Sequence, residues 1–129
     1  MLETVTFTSS HDFKDTLDQL KNSFMSVGFG TLCSISLNER FEAKGLHYED
    51  QITILEVCNP FEALSSLTID PDIAYFLPCK VLIKEVKGEV SVTMIKPTSF
   101  ITLLDHDHLD EFAIKIEKAL LQAIESLSN

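Results

Sequence analysis

Hydroxyl and apolar side chains alternate through Thr4-Val5-Thr6-Phe7-Thr8, a period of two that predicts a half-buried strand with Val5 and Phe7 inward. Ser9 and Ser10 come next, and either offers an oxygen to cap a helix whose Phe13, Leu17, Leu20 and Phe24 trace one apolar stripe. Gly28 ends that helix, because glycine adopts the conformation past a helix C-terminus without steric cost. Leu32, Cys33, Ile35 and Leu37 predict a second strand, after which Ser36 and Glu39 have the spacing of a capping box for a short helix with Phe41 inward and Gly45 as its stop. Ile52 to Val57 is nearly all apolar. Its two alternating sets, Ile52 with Ile54 and Leu55 with Val57, predict cover on both faces and a central strand.

Asn59 before Pro60 reads as an N-cap and first helical residue, so a short helix is expected over 61–67. The chain then runs through Tyr75-Phe76-Leu77-Pro78 into Cys79 to Val86, turns at Lys87-Gly88 and returns as Val90 to Ile95, a β-hairpin with a two-residue loop. Leu109, Phe112, Ile116, Leu120, Ile124 and Leu127 fall on one face of a second long helix, with Asp107 at its cap and Asp110 and Glu111 complementing its dipole. No repeat, low-complexity tract or linker divides this order, which predicts one α+β domain over residues 1–129. Its core is a five-stranded, mainly antiparallel sheet covered by two long helices plus short ones. Two helices cover one sheet face, and the apolar second side of Ile52–Val57 predicts that a homodimer supplies the rest.

Composition narrows the class. The chain has 129 residues, of which 45% are hydrophobic, the size of one ordinary domain. A net charge of −10 and a pI near 4.6 argue against nucleic acid, whose binding draws on clustered Lys and Arg. The same charge repels an anionic membrane surface, and no apolar run approaches the roughly 20 residues that cross a bilayer. Met1-Leu2-Glu3-Thr4 starts no positive-then-apolar leader, so a cytoplasmic location is expected. Three cysteines without a C-x-x-C pair fit a reducing compartment and no zinc ribbon.

Beyond amphipathicity, the chain carries one distinctive pattern: Cys58-Asn59-Pro60 and Leu77-Pro78-Cys79, joined across Ala63, Leu67 and Asp70-Pro71, with Gly28-Phe29-Gly30 after the first helix. On these residues the chain resembles the domain of unknown function 302 family, small bacterial and archaeal proteins without an established activity. The resemblance implies a TATA-box-binding-protein-like sheet-and-helix architecture and a dimer.

Cys58, Asn59, Pro60, Pro78 and Cys79 are therefore the candidate ligand-binding residues. A small ligand or a protein partner would sit between the Asn59-Pro60 turn and the start of the Cys79 strand. Cys58, just before a helix N-terminus, also has the position in which a thiol pKa falls. A thiol enzyme or redox sensor pairing it with Cys79 is the alternative, and a purely structural interaction module is a third. Burial as a small hydrophobe is the commoner fate of such a cysteine, and Cys33 reads as core. Asp105-His106-Asp107-His108-Leu109-Asp110 is rich in metal-ligating types, but histidines two apart do not share a helical face and capping accounts for Asp107 and Asp110. No metal or cofactor is expected, and no residue takes a named catalytic role. Lys80, Lys84, Lys87 and Lys96 give the hairpin a positive bias in an acidic protein, which would attract a small anion or a partner's acidic surface, although solubility or edge-strand protection is the commoner reason for such lysines.

Overall fold

The computed structural model describes residues 1–127. Strand β1 (Thr4–Thr8) leads to helix α1 (Phe13–Ser26), β2 (Gly30–Ser36), the short α2 (Leu37–Glu42), β3 (Gln51–Cys58) and α3 (Pro60–Ile69). A 3-10 segment, Pro71–Phe76, precedes the hairpin of β4 (Cys79–Val86) and β5 (Glu89–Ile95), and two more, Pro97–Ser99 and Ile101–Leu104, lead into α4 (Asp107–Glu125). The strands form one sheet in the order β1-β5-β4-β3-β2, every pair antiparallel.

Because β1 returns to pair with β5, from Thr4 opposite Ile95 to Thr8 opposite Ser91, the hairpin strand β4 takes the middle of the sheet. The apolar strand β3 is interior but one place off centre, which corrects the expected central position. Its two faces also differ: Thr53, Leu55 and Val57 are buried, whereas Ile52, Ile54 and Glu56 are only half-buried. The buried set joins Val81 and Ile83 of β4 and Val90, Val92 and Met94 of β5 against Leu20 and Phe24 of α1 and Leu109, Ile116, Leu120 and Ile124 of α4. Both long helices thus cover the same face, and across the other run the in-register side chains of Thr6, Thr93, Leu82, Ile54 and Ile35.

Local chemistry sets the helix starts. Asp12, not a serine, caps α1, its Oδ1 accepting from Asp15 N at 2.8 Å. Ser9 lies too far upstream to reach the first turn's free N–H groups in that way, and its hydroxyl is paired instead with Thr16 Oγ1 at 2.6 Å. Ser36 caps α2 as expected, accepting from Glu39 N at 3.2 Å, so Leu37 opens this helix rather than closing β2. At α4 the cap position falls to His106, without a side-chain bond; Asp107 is the first helical residue and, with Asp110, meets the positive end of the dipole.

Leu55 is fully buried in the core on the helix-covered face of the sheet. Leu55→Ala is expected to lower the unfolding free energy by about 2–5 kcal/mol in urea titrations monitored by circular dichroism. Leu32→Ala, at a side chain 65% exposed, is expected to stay within about 0.5 kcal/mol of the parent.

Candidate functional site

The three distinctive tripeptides meet at one corner. Gly30 pairs with Cys58 across β2 and β3, and Val57 pairs with Cys79 across β3 and β4, so all three segments lie at the same end of the sheet. Asn59 is the joint. Its Oδ1 accepts from Phe61 N at 3.1 Å and Glu62 N at 3.2 Å, satisfying two of the free donors at the start of α3. Its Nδ2 reaches toward Gly28, where a Cβ would stand only 3.0 Å away and where φ is +90°, a conformation that favours glycine. Glu62 then ties α3 to α4 through Lys115 at 2.7 Å.

This corner is packed. The crevice between Phe29, Cys58, Asn59, Ala63, Leu77 and Cys79 measures about 10 Å³, the space of a single water at most. Cys58 and Cys79 border it together as free thiols. Burial pushes the Cys58 thiol up from its ordinary 9.0. Burial first, then the neighbouring Cys58 and Glu56, push Cys79 up to about 12. Both shifts run opposite to the lowering that a thiolate nucleophile needs. Cys33, expected in the core, is exposed on β2.

The large concavity lies on the uncovered sheet face. It is a half-open hollow of about 1130 Å³ over β4 and its neighbours, with Ile35, Leu82, Thr93 and Ile95 on its floor and Met94 and Leu120 of the core at its margin. One end is walled by Tyr75, Phe76, Phe100 and Leu103, with the Phe76 and Phe100 rings 5.0 Å apart. Thr6 donates to Thr93 Oγ1 at 3.1 Å and Thr93 to the Val5 carbonyl at 2.9 Å, so the floor's hydroxyls are partly spoken for. Lys80 is held by Glu56 at 2.6 Å. Lys84, half-buried on the same face, sits opposite Ile52 and Ser91 and has no ion pair among the described residues.

Of the candidate residues, Pro78 and Cys79 reach the rim of this cleft, Cys58 and Asn59 border only the crevice, and Pro60 is exposed and lines neither. Lys80 and Lys84 do not protect an edge, since β4 is the middle strand. The sequence signal for the cleft is the apolar second side of β3, but only the packing of α1 and α4 together on the other face shows that neither long helix covers it. Among the described residues, no group of three or more His, Cys, Asp or Glu is placed to hold a metal ion, and no helix is long and apolar enough to cross a membrane.

A family model described as "Domain of unknown function DUF302" matches residues 5–127. The chain is also similar to an uncharacterized conserved protein DUF302 from Bacillus stearothermophilus, at 34% identity over 96% of this chain and 97% of that one, with a TM-score of 0.91. No curated protein matches the sequence.

The corner generates two expectations. Gly28→Ala adds roughly 1–2 kcal/mol of backbone strain and a clash with Asn59, and Asn59→Ala loses a cap worth about 0.5–2 kcal/mol. Removing the Asn59 side chain also removes the clash, so the double variant is expected to be less destabilised than the sum of the single ones in a denaturation cycle; strict additivity would contradict the contact. The second concerns pH. Folded Cys79 keeps a proton that the unfolded chain releases above 9.0, so its contribution to stability is complete below pH 9.0 and is lost as the pH rises toward about 12. Denaturation of the parent should therefore lose up to about 1.4 kcal/mol per pH unit in that window relative to Cys79→Val.

Proposed function

The chain belongs to the DUF302 family, and on that premise we propose that it is a binding protein, a homodimer in which each protomer takes a small, largely apolar ligand into the cleft on the open face of its sheet. The observation that carries this reading is the contrast between the two concavities: about 1130 Å³ on the open face against about 10 Å³ at the corner. Ligand sites are mostly apolar clefts of roughly 300–1,000 Å³ with a few placed polar groups, and the open face has that make-up. The Cys58–Asn59–Pro60 and Leu77–Pro78–Cys79 segments then serve as scaffold. They fix where β3 ends and β4 begins, and so where the cleft's wall stands. Thiol chemistry lacks comparable support, since burial pushes both thiols away from the thiolate.

Self-association is supported by α3. An ordinary surface helix turns its apolar side inward, yet here the buried residue is Ser66, while Phe61 is 82% and Leu64 69% exposed, with Tyr75 of the adjoining 3-10 segment at 85%. The only charge on this helix, Glu62, is already paired with Lys115. Two copies meeting through α3 therefore bury apolar surface without opposing like charges, although each chain carries −10. The dimer contact then falls on α3 rather than on the second sheet face, and that face is left to the ligand.

The neutral dye Nile red is expected to bind the native protein at about one per protomer with blue-shifted emission. Leu82→Glu, which puts a charge on the cleft floor, should abolish the signal while the circular dichroism spectrum is retained. Dye binding unaffected by Leu82→Glu would move the site elsewhere. Sedimentation equilibrium should give twice the 14.5 kDa chain mass, falling to the single-chain mass in Phe61→Glu/Leu64→Glu; a parent that sediments as a monomer contradicts the dimer.

A further inference from the structure

We infer that the cleft's ligand is an amphipathic anion, a free chain carboxylate whose head group pairs with Lys84 and whose apolar tail runs along β4 to the aromatic end; this rests on the cleft being the binding site. In a chain of net charge −10, the floor of the open face is an electrostatic exception: Lys80 and Lys84 project from β4, two residues to either side of Leu82, with Glu56 as the acidic residue of the cleft lining. Glu56 is committed to Lys80. Lys84 is left half-buried between Ile52 and Ser91, neither of which can neutralise an ammonium.

A cation drawn partly out of water without a counter-charge is unfavourable, and the natural complement is an anion delivered by the ligand. Inside a concave, mostly apolar cleft its field is less screened than on an open surface. The apolar complement lies in the other direction. From Lys84 to Lys80 the strand advances four residues, roughly 13 Å, past Leu82, after which Tyr75, Phe76, Phe100 and Leu103 close the end. A charged head at one end and an aromatic, uncharged wall at the other describe a molecule with one anionic group and an extended hydrocarbon body. The chain's overall negative charge disfavours collecting such a molecule from an anionic membrane surface, so the ligand is taken up free from solution.

The protein at pH 7 is titrated calorimetrically with decanoate and with decan-1-ol, which share a tail and differ in head-group charge. Decanoate is expected to bind about ten-fold more tightly than the alcohol, the size of a charge-assisted contact. Lys84→Met should erase that preference by weakening decanoate and leaving the alcohol unchanged, Lys84→Arg should retain it, and Lys87→Met at the exposed hairpin turn should alter neither. Circular dichroism of each variant establishes the fold. Equal affinities for acid and alcohol in the parent, or an equal loss in Lys87→Met, overturn the assignment to Lys84 while leaving the cleft as the binding site. Binding of neither compound overturns the cleft reading and this inference with it.

Discussion

Helices α1 and α4 both pack on one face of the sheet, and the rest of the molecule is organised around this one-sided burial. The side chains that drive folding, Leu55, Val57, Val81, Ile83 and Val92 from the strands and Leu20, Phe24, Ile116 and Leu120 from the helices, all belong to that single interior. Burying them is what makes the ordering of the chain favourable. The opposite face is therefore released from core packing. It can carry threonines, lysines and half-buried isoleucines together, a mixture that an interior would not tolerate.

The second constraint is the corner that joins the ends of β2, β3 and β4. Asn59 works in two directions, its oxygen closing the start of α3 and its amide lying against Gly28 at the end of α1. That arrangement sets the start of α3 against the residue that follows α1. Leu77 borders both the corner crevice and the cleft, so the corner and the end wall of the open face share this side chain. The most distinctive residues of the sequence thus shape a cleft that most of them do not line.

Legibility from the sequence depends on distance along the chain. Asn59-Pro60 and Ser36 are readable as caps because a cap and the N–H groups it meets are neighbours. The hairpin at Lys87-Gly88 is readable for the same reason, and the resemblance to the family brings the fold class with it. Contacts between remote segments are not readable: the approach of Asn59 to Gly28 depends on β2 pairing with β3, and no local pattern encodes a register across a loop. The apolar second side of β3 points to a strand inside the sheet, which it is, but the strand order is needed to place it one position off centre. Lys80 and Lys84 have the pattern of edge protection on a hairpin, a role that vanishes once β1 pairs with β5 and moves β4 to the middle. Helix α3 starts where the sequence predicts, yet its outward-facing Phe61 and Leu64 emerge only when Ser66 is seen to face inward.

On the proposed function, the open sheet face receives the ligand, and the corner that carries Cys58, Asn59 and Pro60 does not. Methyl-labelled NMR of the protein titrated with decanoate tests this most directly, because both faces of the sheet and the corner carry methyl reporters. Saturable shifts are expected to concentrate at Ile35, Ile54, Leu82 and Ile95, with Leu55, Val57 and Val81 on the opposite face little changed. Shifts centred on Ala63 and Val57 at the corner, or none at all, would contradict it.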